Sequence, residues 1–343
     1  MAEIMRARLI YNPTSGQEII KKYIAEILNR LESYGYETSA FQTTIVADSA
    51  RIEAERACKT GKYDLIIAAG GDGTIQQVVS GLVSFKRRPK LALIPTGTTN
   101  DFARALKIPR GKPLEAVELI GKAQTLKIDI GRAVSADKSS YFINIAATGA
   151  LSELTYSVPS NLKTAFGYLA YLAKGVELLP RVKKAPVLLT TENETLTLDA
   201  SMIFVALTNS VGGFETLAPD AKLDDGKFTV IVVKTDNLFE ILGLLGMVAA
   251  GKGQHMTDKN IAYFKTQMLE IKPLSDKKIL VNLDGEFGGA APIRFENLQG
   301  ALELFVNLDA MPDENYIGED DVLAYEAVAQ KFAEQTEHLK DEQ

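Results

Sequence analysis

The chain reads as an N-terminal layered α/β domain followed by a C-terminal, mainly antiparallel β domain with the pattern of a sandwich. Three observations predict this. Strand and helix patterns alternate through the first third of the sequence. One strand-like run there, Asp64–Ala69, is continuously apolar beyond its first residue, as in a strand buried on both faces of a parallel sheet. Beyond about residue 125 short strand-like runs dominate instead. A chain of 343 residues has room for two domains, and 46% hydrophobic with 24% charged residues is the balance of a globular protein with a substantial core. The expected boundaries are 1–130, 131–312 and an acidic, helical tail at 313–343.

Taken in order, Arg8–Tyr11 is a short strand that ends in the turn-rich Asn12-Pro13-Thr14-Ser15-Gly16. A helix follows, with apolar residues at Ile19, Ile20, Tyr23, Ile24, Ile27, Leu28 and Leu31, and Gly35 is its expected stop. Tyr36–Thr43 is strand-like, and Asp48 or Ser49 is placed to cap a helix running through Cys58. The strand at 64–69 and a further strand at Leu91–Ile94 complete the repeated β-α units. In the second domain the strand-like runs are Tyr141–Ala146, Val187–Thr191, Thr195–Leu198, Met202–Leu207, Phe228–Val233, Met268–Lys272, Lys278–Leu283 and Ala301–Val306. Helices are expected only at Leu162–Leu179 and Leu238–Ala250, and in the tail over Asp320–Lys340. Glu192-Asn193-Glu194 reads as a hairpin turn.

Composition excludes several classes of function. One cysteine, Cys58, rules out an internal disulfide framework and a cysteine-rich zinc site. Two distant histidines, His255 and His338, rule out a histidine-rich metal cluster. The net charge is −6, which argues against general nucleic-acid binding. That charge is uneven: from Asp313 onward ten acids face two lysines, so the tail carries −8 and the rest of the chain +2. The longest apolar run, Ile241–Ala250, is half of the roughly 20 residues that a membrane span needs, and the N-terminus lacks the apolar stretch of a signal peptide. A cytoplasmic protein is therefore expected.

The most informative segment is Gly70-Gly71-Asp72-Gly73-Thr74, which follows the buried strand and opens a helix carrying Ile75, Val78, Val79 and Leu82. Glycines let main-chain amides approach a phosphate closely, and a helix N-terminus adds donors and partial positive charge. The bland alternative is a tight β-α turn with one exposed acid, but strand carboxyl ends are where α/β sheets bind ligands. The pattern G-x-x-x-x-G-K-[ST] is absent, and G-x-G-x-x-G fails because Gln76 stands at its third glycine. A second loop, Pro95-Thr96-Gly97-Thr98-Thr99-Asn100-Asp101, repeats the logic after the next strand, with Asn100 or Thr99 as an alternative helix cap. Asn12–Gly16 occupies the same position after the first strand.

These segments, NPTSG, GGDGT and PTGTTNDFAR, together with PDAKLDDG and NLDGEFGG downstream, resemble the diacylglycerol kinase catalytic-domain family, in particular its soluble bacterial members. The resemblance covers nearly the whole chain. It implies an ATP- and Mg²⁺-dependent kinase acting on diacylglycerol at a membrane surface, peripherally associated; a homodimer is a further expectation, one the resemblance does not fix. It places ATP against Asn12, Pro13, Thr14, Ser15, Gly16, Thr43, Gly71, Asp72, Gly73, Thr74, Ile75, Gln76, Gln77 and Thr98, with Asp72 and Asp101 organising Mg²⁺ and water. The family commonly reads GGDGT-L-N-E, whereas this chain has Ile75-Gln76-Gln77, so an acid's contact at Gln77 passes here to a neutral amide.

Two acidic segments belong to the second domain. Pro219–Gly226 carries three carboxylates, and such a turn can offer Asp225 together with main-chain carbonyls of Lys222 and Lys227 to a magnesium ion. The alternative is a solvated acidic turn; the resemblance implies a structural Mg²⁺. The segment Leu283-Asp284-Gly285-Glu286 ends a strand with two acids, and the resemblance makes Glu286 the general base, with Asp284 the second candidate. From Lys163 to Lys184, five basic residues and one acid interleave with aromatic and apolar ones, which suits an anionic bilayer or a helix with one solvated face. Three rivals remain: a kinase for another lipid alcohol, a kinase for NAD, and a nucleotide-binding sensor without catalysis.

Overall fold

The computed structural model describes residues 4–16, 18–149, 182–209, 217–249, 253–276 and 278–310. The expected helices at 162–179 and 320–340 lie outside these, as does most of the basic segment at 163–184. The described residues form two compact units, one within Met1–Ile130 and Leu298–Pro312, the other within Gly131–Asn297.

The first unit is built on a parallel sheet. Strands β1 (Met5–Tyr11), β2 (Tyr36–Gln42), β3 (Leu65–Gly70) and β4 (Lys90–Pro95) stand in the order β2-β1-β3-β4. The last part of β16 (Ile293–Phe305) adds in parallel beside β4, with Leu304 opposite Leu91. Every residue of β3 is buried, which accounts for its unbroken apolar run. Helices α1 (Ile24–Ser33) and α5 (Pro113–Gly121) pack together, as do α2 (Ser49–Thr60) and α3 (Asp72–Val83). The chain leaves β1 in one direction to form β2 and returns across it to form β3. The order therefore reverses between β1 and β3, and an open α/β sheet binds ligands at the carboxyl ends flanking such a reversal.

Local details differ from the periodicity. The expected helix over 19–31 is a 3₁₀ turn, Ile19–Lys22, followed by α1, although Ile20, Ile27 and Leu31 are all fully buried as the pattern requires. Neither Asp48 nor Ser49 caps α2 through its side chain; the Ser49 hydroxyl instead accepts the Thr44 amide at 3.0 Å.

The second unit is a sandwich. One sheet contains β12 (Ile261–Thr266), β11 (Phe228–Val233), β10 (Met202–Ala206), β7 (Ile145–Gly149), β14 (Leu280–Leu283) and β15 (Glu286–Ala290), in that order and antiparallel throughout. The facing sheet contains β6 (Ser139–Phe142), the end of β5 (Thr125–Ser135), the start of β16, then β13 (Met268–Pro273), β8 (Ala185–Thr190) and β9 (Thr195–Ala200). Alternation decides the core. Ile203 and Val205 of β10, with Phe228, Val230 and Val232 of β11, face Leu269, Ile271, Ile293 and Phe295 of the other sheet. Met202, Phe204, Ile231 and Val233 point the other way and pack with Ile241 and Leu244 of α6 (Leu238–Ala249). At the centre Phe142 stacks on Phe228 at 5.7 Å and meets Phe295 edge-on at 5.9 Å.

The run expected as one strand over Tyr141–Ala146 is two. β6 lies in one sheet and β7 in the other, and the chain changes sheets through Ile143 and Asn144. The amides of Ile143 and Asn144, which do not continue a single strand, are taken by the Asp284 carboxylate.

Candidate active site

In the first unit the three predicted loops converge at the strand carboxyl ends. The Asn12 amide donates to the carbonyl of Ala69, and that of Thr96 to Gly70, so both outer loops are stitched to the end of β3. The Asn12 side chain is a clip: its oxygen accepts the Thr14 amide and hydroxyl at 3.0 Å each, and its Nδ2 donates to Thr74 Oγ1 at 3.2 Å. Pro13 and Ser15 are buried, Thr14 exposed. Thr43 joins from the end of β2, its amide donating to the Tyr11 carbonyl at 2.9 Å.

The loops meet main chain to main chain. A Cβ on Gly97 would stand 2.5 Å from the Cα of Gly71, and one on Gly16, at φ +56°, 2.0 Å from the Thr96 carbonyl oxygen. Only residues without side chains allow this approach. Gly73 is different: a Cβ there meets nothing within 4 Å, so its glycine is not required by packing. Gly71 is the N-cap of the twelve-residue α3 and makes no side-chain cap, and the first intrahelical bond runs from the Ile75 amide to Gly71 O. The amides of Asp72, Gly73 and Thr74 precede that bond and belong to the helix terminus, where an anion finds donors. Thr96, 4% exposed, keeps its Oγ1 buried without a hydrogen-bond partner among the described residues.

Asp72 and Asn100 tie the glycine loop to the second loop. Asp72 Oδ2 accepts the Asn100 amide at 2.8 Å. Asn100 is the N-cap residue of α4 (Asp101–Ala105) by position, but its side chain turns back, accepting the Gly97 amide at 3.1 Å and donating to the Gly97 carbonyl at 2.7 Å. Asp101 opens α4, and Thr98 is exposed at the loop tip. Beyond Thr74, Ile75 is buried in α3, Gln76 donates to Ser80 at 3.2 Å, and Gln77 is half-buried. The sequence offers Asn100 or Thr99 as an alternative helix cap and carries no local signal for this bracing.

In the second unit the two acids of the DGE segment separate cleanly. β14 and β15 pair Leu283 with Glu286, leaving Asp284 and Gly285 as a two-residue hairpin turn with both φ positive, +49° and +93°. Asp-Gly is a preferred sequence for such a turn. Glu286 is exposed at the start of β15, and its side chain makes no hydrogen bond or ion pair among the described residues. Asp284 Oδ2 accepts the Ile143 amide at 2.6 Å, and its Oδ1 accepts those of Asn144 and Ile145 at 2.9 and 3.0 Å.

The acidic turn is also organised. Asp225 Oδ1 accepts the Lys227 amide at 3.0 Å. Lys265 Nζ donates to the Asp220 carbonyl at 2.6 Å and stands 3.5 Å from the carboxylates of both Asp220 and Asp225. The Tyr263 hydroxyl donates to Asp220, and burial together with that carboxylate pushes its pKa up. The turn thus directs its negative charge at one point and already attracts one cation there. Among the described residues no three Asp, Glu, His or Cys side chains converge on a metal position. A single carboxylate supplemented by main-chain carbonyls and water is a donor set that magnesium accepts.

Other reactive groups are accounted for structurally. Burial pushes the Cys58 thiol up to about 11, which makes it a poor nucleophile at neutral pH. His255 is buried with Nε2 2.9 Å from the Leu217 carbonyl, and burial lowers its pKa. It is a neutral donor to that carbonyl. Among the described residues no helix is long and apolar enough to cross a membrane.

Comparison with known proteins gives the family. Residues 6–133 match the diacylglycerol kinase catalytic domain, and residues 148–306 the YegS C-terminal NAD kinase beta sandwich-like domain. A diacylglycerol kinase of Bacillus subtilis (strain 168) is 47% identical over 85% of this chain and 93% of its own length. The chain belongs to the diacylglycerol kinase family of enzymes. A diacylglycerol kinase of Staphylococcus epidermidis is 44% identical over 90% of this chain and 94% of its own. Two solved chains from Bacillus anthracis str. Sterne share the fold. One has a TM-score of 0.77 at 26% identity, over 90% of this chain and 97% of that one. The other, named a diacylglycerol kinase, has a TM-score of 0.69 at 23% identity, over 90% and 99%. The family implies ATP as co-substrate.

Two glycines separate the roles of packing and ligand approach. Gly73→Ala should fold normally, with stability unchanged or raised by up to about 1 kcal/mol through helix propensity, yet lose ATP binding measured by calorimetric titration. Gly97→Ala should lower stability by about 1–3 kcal/mol through overpacking, read as a fall in melting temperature. Unimpaired ATP binding by Gly73→Ala would remove the glycine loop from the nucleotide site.

Proposed function

We propose that the protein transfers the γ-phosphoryl group of ATP to the free hydroxyl of diacylglycerol, giving phosphatidic acid and ADP. The observation that carries this is the convergence of three glycine-lined loops at the strand-order reversal, in a chain of the diacylglycerol kinase family. The loop of Asn12–Gly16, Thr43, the segment Gly71–Gln77 and Thr98 hold the nucleotide, with the helix N-terminus of α3 facing its phosphates. Asp72 and Asp101 would orient the magnesium and water that accompany ATP, and that cation would supply charge neutralisation at the phosphates. The lipid hydroxyl oxygen forms the new bond to phosphorus, ADP departs with the electrons of the old one, and the hydroxyl proton passes to the Glu286 carboxylate.

Glu286 is preferred to Asp284 as base because both Asp284 oxygens already accept main-chain amides. Glu286→Gln keeps the side-chain size and loses the proton acceptor. It should lower kcat by about 10²–10⁴-fold with the KM for ATP nearly unchanged, measured in steady-state assays. Full activity in this variant would show that Glu286 is not the base.

A structural magnesium ion at the acidic turn would be held by Asp225 and the main-chain carbonyls of Lys222 and Lys227, where it would favour the folded state. The melting temperature of the wild type should then rise with added Mg²⁺ at constant ionic strength without nucleotide, and that of Asp225→Ala should not respond. An equal response in both would place the metal elsewhere. The basic, aromatic segment at 163–184 brings the enzyme to an anionic bilayer, where each basic residue contributes about 1 kcal/mol.

A further inference from the structure

The hairpin that presents Glu286 has little to hold it in its own residues. β15 is the edge strand of its sheet and carries two glycines among five residues, Glu286-Phe287-Gly288-Gly289-Ala290. Its register against β14 shifts between Val281 and Asn282. An exposed carboxylate at the start of such a strand would sample many positions unless the turn before it were fixed.

Asp284 supplies that fixation from both ends. Its own amide donates to the Ile145 carbonyl at 3.0 Å, extending the β14–β7 ladder by one residue into the turn. Its carboxylate accepts three successive amides, of Ile143, Asn144 and Ile145, each within 3.0 Å. Those amides lie at the corner where the chain leaves one sheet for the other, and Ile143 and Asn144 are buried at 1% and 5% exposure. Successive amides aimed at one anion form a concave donor set, filled here by a side chain about 140 residues away. The turn is braced once more by the Gly285 amide, which donates to Asn282 Oδ1 at 2.8 Å.

We propose that Asp284 is the positioning residue of this site: its carboxylate, locked onto the main-chain corner at 143–145, fixes the hairpin that presents Glu286. The inference rests on the reading of Glu286 as base. Asp284 takes no proton from substrate, because its oxygens are committed to main-chain donors. It acts on the reaction only by narrowing where the Glu286 carboxylate stands.

Asp284→Asn isolates the carboxylate, since Asn-Gly suits the same turn while one amide acceptor becomes a donor. The test combines kcat with hydrogen exchange of the three corner amides. Asp284→Asn should lower kcat by about 10²-fold, the scale of a small misplacement of a reacting group, without changing the KM for ATP. The double variant with Glu286→Gln should be no slower than Glu286→Gln alone, because Asp284 acts through that residue. The acidic limb of the kcat–pH profile should persist in Asp284→Asn and vanish in Glu286→Gln. Losses that multiply in the double variant, or an acidic limb abolished by Asp284→Asn alone, would overturn the proposal. The amides of Ile143, Asn144 and Ile145 should exchange slowly in the wild type and faster in Asp284→Asn. This arm needs no turnover, so it separates a failure of the anchor from a failure of the Glu286 reading. Rapid exchange of the three amides in the wild type overturns the anchor even if the variant does not fold.

Discussion

The loop face of the first unit depends on main chain touching main chain at the ends of parallel strands. Gly97 lies against Gly71, Gly16 against Thr96, and no side chain larger than hydrogen fits at either glycine contact without displacement. The closeness lets three loops from β1, β3 and β4 share one small region, and the polar side chains around them are used as braces. Asn12 clips its own loop to Thr74, Asn100 clips the loop at Gly97, and Asp72 joins the glycine loop to the loop of Asn100. A site that binds phosphate through amides needs its amides held still, because charge is stabilised best by dipoles that do not reorganise. The glycines and the braces are two halves of that requirement.

The second unit solves a related problem by other means. Its chain must pass between sheets, and a corner leaves main-chain donors without a ladder partner. A carboxylate from a distant turn takes three of them. Breaking that arrangement would leave buried donors unmatched, each costing about 1–3 kcal/mol, so the corner and the hairpin stabilise one another.

Much of this was legible in residue patterns. The apolar run of β3, the glycines after it and the alternation along β10 and β11 carry their own reading, because burial on one or two faces leaves a local trace. Other features leave none. β15 contains two glycines and an exposed acid, and β16 continues through Asn297, Gln299 and Gly300, so neither displays a strand period over its length. Tyr141–Ala146 looks like one strand because both halves are apolar; only the sheet change at Ile143 and Asn144 divides it. In the sequence Asp284 reads as a second candidate base, because the amides its carboxylate accepts lie about 140 residues away. The same is true of Lys265 and Tyr263 beside the acidic turn, which proximity in sequence could not have linked to Asp220. Non-local polar contacts are the part of a site that spacing and composition do not encode.

On the proposed function, this scaffold moves phosphate from ATP to a lipid alcohol. The most direct measurement offers the purified protein Mg-ATP labelled at the γ-phosphate with diacylglycerol in mixed micelles, with NAD, and with no acceptor. Label should appear in phosphatidic acid, with none in a phosphorylated NAD and only background release without acceptor. Label in NADP, or ATP hydrolysis at the same rate with and without lipid and none of it captured by diacylglycerol, would contradict it.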